Sequence, residues 1–332
     1  MFHSIIVGSG HFVPEKVVTN EDLTKLIDTT DEWIIERTGI KERRYFDPEK
    51  DTVANMAARA SRMALEKAGM NADEIDFIVF ATISSDYFFP GSGVLLEREL
   101  GLHSIPAMDI RNACSGFIYA LSVADQYIKT GMYKTVLVVG AEIQSSGMTF
   151  DTAHRNMTVI FADGAGAMIL KASDKAGKGI LTTHIHSDGR YAELLYLKDP
   201  GSSRKVRLSK DIIDDESFKP YMDGREVFKH AVVRFPEVIR EALDAVDLTI
   251  EDIDLLIPHQ ANLRINQFVQ KRLGLADDKV YNNIMRYGNT TAASIPICFS
   301  EAAGEGRINE NDIICLAAFG SGFTWASALI RM

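Results

Sequence analysis

Short apolar runs alternate along the chain with segments whose apolar residues recur every three or four positions, and that alternation sets the fold class. From Val53 the pattern predicts a helix to about Gly69, a buried strand over Ile75 to Ala81, a helix near Gly91 to Leu100 and a buried strand over Ile105 to Ile110. Phe117, Ala120, Leu121, Ala124 and Ile128 then mark one apolar face of a helix that Gly131 stops. Val136 to Gly140 and Ala165 to Leu170 suit further buried strands, the second following a glycine-rich turn at Asp163 to Gly166. This is α/β order.

An internal repeat organises the pattern. ALEKAGMNADEIDFIVF, from Ala64, aligns without a gap on ALDAVDLTIEDIDLLIP, from Ala242, so that Ala64 meets Ala242 and Ile75 meets Ile253. Continued in register, it sets Val280 to Ile284 opposite the strand before Cys114, and the stretch from Asn289 opposite Cys114 itself. Val136 to Val139 falls opposite Ile313 to Leu316, and Ala165 to Leu170 opposite Trp325 to Ile330. The expectation is a pseudo-twofold α/β fold of two halves, 1–172 and 173–332, whose sheets pack face to face. The strand–helix junctions of both halves would then meet at one site. Leu197 to Asp223 is polar and charged with few periodic apolar positions, and reads as a loop or lid inserted at about 197–223.

Composition narrows the class. At 332 residues and 46% hydrophobic, the chain can bury a large core. Three cysteines, Cys114, Cys298 and Cys315, are too few and too irregularly spaced for a disulfide framework or a zinc site. A net charge of -10 disfavours general nucleic-acid binding, although a local basic patch could receive an acidic partner. No basic, apolar leader stands at Met1 to Gly10 and no apolar run is long enough to span a bilayer, which points to the cytosol. IIVGSG at Ile5 to Gly10 lacks the third glycine of a dinucleotide fingerprint, Val13 standing in its place, and the nucleotide reading is rejected. Asp28 to Arg44 is a charged stretch anchored by Trp33, one of two tryptophans.

Candidate chemistry centres on Cys114, at the junction between the Ile105 strand and the helix that follows. A thiol at a helix N-terminus feels free backbone N–H groups and the positive end of the macrodipole, which favour a thiolate and could hold an oxyanion. Local context supports an inert, buried thiol equally well. His259, just after the apolar run LLIP, and Asn289, in YGNTTAAS, stand at strand ends in the second half. Alone, each reads as a turn residue or cap. Together, cysteine, histidine and asparagine at symmetry-related strand ends make a plausible thiol acyl-transfer site. The His184 and His186 pair could ligate a metal but, on a strand-like run without nearby cysteine or carboxylate partners, reads as structural.

The motifs ACSGF around Cys114, PHQANLR from Pro258, GNTTAAS from Gly288 and FGSGFTW from Phe319, with TDEWIIERTGI, YALSVADQY and FADGAGA, resemble the β-ketoacyl-acyl carrier protein synthase III family of thiolase-like condensing enzymes. The resemblance spans essentially the whole chain and implies a thiolase-like fold, duplicated α/β halves with two central mixed sheets in a layered α-β-α-β-α arrangement. It implies an acyltransferase that condenses an acyl-CoA primer with malonyl-acyl carrier protein, with loss of carbon dioxide, to give a 3-oxoacyl-acyl carrier protein at the start of type II fatty acid biosynthesis. Carried over residue by residue, Cys114 would be the nucleophile, and the N–H groups of Cys114 and Ser321 the oxyanion donors. His259 and Asn289 would donate to the malonyl thioester oxygen. Thr29, Trp33, Arg37, Arg155, Gly224, Phe228, Ala261 and Asn262 resemble the coenzyme A and pantetheine contacts, Trp33 and Arg155 stacking on adenine. Phe89 resembles the aromatic that a second subunit inserts into the acyl pocket, which implies a homodimer. Lys229, Arg264, Lys271 and Arg272 would form a basic rim for the carrier protein, the last three sharing one helical face. Coenzyme A enters as substrate, and neither a metal nor a permanently bound cofactor is implied.

Some positions depart from the commonest family pattern. Ser321 replaces a glycine, Ala326 follows Trp325 where glycine is frequent, Leu197 to Asp223 is long, and Tyr87 and Phe88 beside Phe89 are bulky. These leave acyl-chain length and branching open. The alternatives are a synthase-III-like enzyme of secondary metabolism or of longer acyl chains, and a cysteine thioester hydrolase.

Overall fold

The computed structural model describes residues 2–332. In chain order the strands are β1 (His3–Phe12), β2 (Lys16–Thr19), β3 (Glu42–Tyr45), β4 (Phe77–Ala81), β5 (Ala107–Ile110), β6 (Thr135–Glu142), β7 (Gly164–Ser173), β8 (Gly179–Ser187), β9 (Leu195–Tyr196), β10 (Tyr221–Met222), β11 (Leu255–Pro258), β12 (Ile313–Gly320) and β13 (Thr324–Arg331). One mixed sheet runs β1-β7-β6-β4-β5 and a second β8-β13-β12-β11. Val280 adds a single parallel bridge to Leu256, at the place that β5 holds beside β4. The two strand orders therefore match position for position.

Side-chain alternation along the strands builds the layers. Val136 and Val138 face a central core that also takes Leu316 and Ala328 from the second sheet, whereas Leu137 and Val139 face the outer helix Val53–Ala68. On β12, Ile314 and Leu316 face the centre, and Cys315 and Ala317 face the outer helix Gly224–Asp244. Between the sheets lie the helices Gly116–Lys129 and Ser294–Gly304, buried almost all round. This is the α-β-α-β-α stack of the thiolase-like fold. IIVGSG lies within β1, and its glycines admit helix Val53–Ala68: a Cβ on Gly8 or Gly10 would lie 2.2 Å from the Ala64 or Ala60 carbonyl oxygen.

The duplication is sharper, and registered differently, than the sequence repeat suggests. Phe77 and Leu255, Ala113 and Thr291, Gly116 and Ser294, and Thr135 and Ile313 begin equivalent elements at one constant spacing. Ala113 and Thr291 both lie in the left-handed region, at φ 45° and 50°. The counterpart of Cys114 is thus Ala292, and Asn289 falls opposite Arg111, three residues earlier than expected. Val136 likewise meets Ile314. The misalignment arises because Val280 forms only a bridge, and Ile284–Tyr287 is a helical turn rather than strand. The strand before Cys114 is also shorter than expected and half-exposed, because it is the edge of its sheet.

The 197–223 segment is braced rather than free. Its flanks, β9 and β10, pair with each other. Inside it, buried Asp199 holds Arg204 at 2.6 Å, and Arg207 stacks on Phe88 at 3.6 Å from the ring centroid. His154 reaches Asp151 at 2.7 Å and Glu216 at 3.0 Å, tying the segment to the 151–158 turn.

Candidate active site

Cys114 sits in a 3-10 turn, Ala113–Ser115, between β5 and the helix that opens at Gly116. Ser115 locks that turn to the other half, its hydroxyl donating to the Thr324 carbonyl at 3.1 Å. The N–H groups of Cys114 and Ser321 face the sulfur and favour its anion, while Glu142 and burial oppose it. Burial dominates and pushes the thiol up to about 12. The expectation of a thiol kept ionisable by the helix end is therefore corrected. The helix starts two residues beyond Cys114, and two N–H groups do not offset the loss of water.

His259 follows β11, and its N–H donates to Ala317 O at 2.8 Å, which fixes it beside the strand that ends at Gly320. The imidazole is fully buried: Nδ1 lies 2.7 Å from the Ser294 hydroxyl, and Nε2 has no partner among the described residues. Burial pushes its pKa down to about 3, so the ring is neutral. Asn289 is pinned by its backbone to Ile160 O and by the Ala162 N–H, at 2.9 and 3.0 Å. Its Oδ1 accepts the Thr291 N–H at 2.8 Å, which sets the amide so that Nδ2 is the end left to donate.

Glu142, at the position equivalent to Gly320, is a buried carboxylate that sequence reading passed over. It accepts from the Ser84 hydroxyl at 2.5 Å and from Thr82 and the Ile83 N–H at 3.2 Å, and the Ala292 N–H also faces it. At the second elbow, then, the N–H equivalent to that of Cys114 faces a carboxylate instead of a thiol. Burial raises Glu142 to about 7. The signal that could have revealed it is one acid ending the otherwise apolar run TVLVVGAE. Ser294 is the last residue of the GNTTAAS motif.

A cavity of about 560 Å³ gathers Trp33, Arg37, Gly224, Phe228, Lys229, Asn262 and Arg264, together with Arg225 and Met222, which sequence reading did not single out. Asn262 caps the helix Leu263–Leu273 and donates to Arg37 O at 2.9 Å. Ala261 adjoins it in the chain, and the Thr29 hydroxyl is buried without a partner. Trp33 and Arg155 do not form an open sandwich. The Arg155 guanidinium lies 4.8 Å from the indole centroid, anchored to Asp28 O at 2.7 Å, with Arg37 at 4.6 Å from the same ring. Lys229 is engaged by Glu226, whereas Arg264, Lys271 and Arg272 are exposed without a carboxylate partner among the described residues. Phe89 is 81% exposed. His184 and His186 share Glu241, at 3.2 and 2.7 Å.

A duplicated thiolase-like fold carrying a buried cysteine at one elbow, with histidine and asparagine contributed by the other half, defines a condensing enzyme. Comparison with known proteins agrees. Residues 108–189 match the profile of 3-oxoacyl-[acyl-carrier-protein] synthase III, and residues 243–332 that of its C-terminal region. The chain is 45% identical over 326 residues to a β-ketoacyl-[acyl-carrier-protein] synthase III of Salmonella arizonae, covering 98% of each chain, and 44% identical to one of Methylococcus capsulatus, covering 99% of each. The crystal structure of the Aquifex aeolicus 3-oxoacyl-[acyl-carrier-protein] synthase III superposes with a TM-score of 0.90 at 40% identity, covering 99% of this chain and 100% of that one. The chain belongs to the 3-oxoacyl-[acyl-carrier-protein] synthase III family.

Proposed function

We propose that this enzyme joins an acyl-CoA primer to malonyl-acyl carrier protein at Cys114, releasing carbon dioxide and 3-oxoacyl-acyl carrier protein, the initiating condensation of type II fatty acid biosynthesis. The relatives at 44–45% identity bear that synthase's name over nearly their whole length, which favours it over secondary metabolism and over thioester hydrolysis.

In the first step the Cys114 sulfur attacks the acyl carbonyl carbon and gives up its proton, which ends on the departing coenzyme A sulfur. A carbon–sulfur bond forms, the N–H groups of Cys114 and Ser321 hold the oxyanion, and coenzyme A leaves as a thiol. Ser321 serves through its N–H alone, since its hydroxyl is committed to Leu195 O at 2.5 Å. In the second step the malonyl carbon–carbon bond breaks, carbon dioxide departs, and the electron pair becomes an enolate held by His259 Nε2 and Asn289 Nδ2. The enolate carbon attacks the acyl-cysteine, and the sulfur leaves. Buried, neutral His259 with an unpartnered Nε2 carries this reading, because a ring with a pKa pushed down to about 3 donates a hydrogen bond without supplying a proton.

Coenzyme A enters through the Trp33–Phe228 cavity as substrate, Arg155 moving off Trp33 to receive the adenine, with Thr29 and Ala261 along the pantetheine path. Arg264, Lys271 and Arg272 dock the carrier protein, Lys229 contributing less because Glu226 holds it. Exposed Phe89, beside exposed Tyr87 and Phe88 and the open β5 edge, fits a homodimer in which Phe89 enters the partner's acyl pocket. Residues 1–172 and 173–332 are the two halves. No helix among the described residues is long and apolar enough to cross a membrane, in keeping with a cytoplasmic enzyme. His259→Ala and Asn289→Ala, given acyl-CoA and malonyl-carrier protein, should still acylate Cys114 yet release carbon dioxide ~100- to 1,000-fold more slowly. Full decarboxylation by both would remove these two side chains from the mechanism.

A further inference from the structure

The enolate role just assigned to His259 requires that its Nε2 carry the ring's proton. A neutral imidazole carries one proton on either nitrogen, and only the group opposite Nδ1 decides which. Ser294 is that group. Its Oγ lies 2.7 Å from Nδ1 and also faces the Gln260 N–H, at 3.4 Å. The backbone N–H can only donate, so it takes one lone pair of the serine oxygen. Among the described residues the hydroxyl proton has no acceptor other than Nδ1 within hydrogen-bond reach. Serine and ring are both buried, at 2% and 0% exposure, and water does not compete.

We propose that Ser294 is a positioning residue that donates to His259 Nδ1 and thereby holds the ring as the Nε2–H tautomer, the one form able to stabilise the enolate. The supporting frame is built for it. Gln260 fixes the turn after β11, its Nε2 donating to Pro258 O at 2.7 Å and its Oε1 accepting the Asn283 and Ile284 N–H groups at 3.1 Å. Ser294 opens the buried helix Ser294–Gly304, where the first half has Gly116. At Gly116 an added Cβ would lie 3.3 Å from Ala81 Cβ, so the first half has little room for such a side chain. The duplicated position is small where it underlies the nucleophile and hydroxylated where it orients the histidine.

The proposal rests on the reading of His259 above, and the test separates the two. In ¹⁵N-histidine-labelled enzyme, with His259 assigned by its loss in His259→Ala, the Nε2 shift should be that of a protonated nitrogen and the Nδ1 shift that of a bare one. Ser294→Ala should move both shifts toward each other as the tautomers mix. Its malonyl decarboxylation should fall ~10-fold, the rate equivalent of one lost hydrogen bond, while acylation of Cys114 by acyl-CoA stays at the wild-type rate. Ser294→Thr, which keeps the hydroxyl, should restore the wild-type shifts. A bare Nε2 in the wild type overturns the proposal even if no variant folds, as does Ser294→Ala with unchanged shifts and decarboxylation. A wild-type enzyme that neither acylates nor decarboxylates would instead refute the underlying reading.

Discussion

Gly320 and Cys114 touch across the two halves of the molecule: a Cβ on Gly320 would lie 2.6 Å from the cysteine Cβ and 3.1 Å from its sulfur. The first distance is shorter than real Cβ contacts allow, and the neighbour is a buried turn with no slack. The last residue of β12 is therefore part of the nucleophile's seat, not merely the end of a strand. Gly320→Ala should displace the Cys114 turn, cost about 1–3 kcal/mol in stability as an overpacked core site, and abolish acyl-adduct formation. Denaturant midpoints and intact-mass spectra measure the two effects. Normal acylation by a folded Gly320→Ala enzyme would contradict this packing.

Glu142 and Cys114 give the enzyme a pH signature. Both pKa values are raised on folding, so the folded chain holds each proton more tightly than the unfolded chain, and that stability is lost as pH rises through the window between the two values. For Glu142 the window runs from its ordinary 4.5 to about 7, and for Cys114 from 9.0 to about 12. Glu142→Gln should remove the loss of stability between pH 4.5 and 7 that the wild type shows. Because the Glu142 charge raises the thiol, the variant should also acylate Cys114 several-fold faster above pH 7, at about tenfold per unit of thiol pKa. Urea midpoints against pH and the rate of coenzyme A release check both. Parallel profiles for the two proteins would contradict the coupling.

As proposed, the basic rim serves carrier-protein recognition and not acyl loading. Lys271 and Arg272 are exposed without a carboxylate partner among the described residues and lie outside the lining of the Trp33–Phe228 cavity, whereas Arg264 belongs to it. The double variant Lys271→Glu, Arg272→Glu should raise KM for malonyl-carrier protein roughly tenfold or more at low salt, converge on wild type at high salt, and leave acyl-CoA loading unchanged. An equal effect on loading would mean that these cations act elsewhere.

Sequence pattern carried the fold a long way because the duplicated units are apolar where they must be. Ala64 and Ala242, like Ile75 and Ile253, are buried, and their matched spacing reports the same helix–strand unit twice. The register failed at the elbows, where the second half replaces strand β5 with one bridge at Val280 and a helical turn, so that no apolar run marks the place. Cys114, His259 and Asn289 were legible as residue types at strand ends. Glu142, Gly320 and Ser294 were not, because their importance lies in contacts between halves: a carboxylate facing Ala292, an absent Cβ beside Cys114, and a hydroxyl against His259. The raised thiol pKa was equally hidden, since burial outweighs local N–H groups only once the second half covers the turn.

In the proposed reaction Cys114 carries the acyl group between two substrates. Intact-mass measurement after incubation with acetyl-CoA, isobutyryl-CoA and longer acyl-CoA thioesters tests it most directly. The wild type should gain one acyl adduct per chain, discharged by malonyl-carrier protein and missing from Cys114→Ala. A wild-type chain left unmodified by every acyl donor, or an adduct that persists in Cys114→Ala, would contradict it.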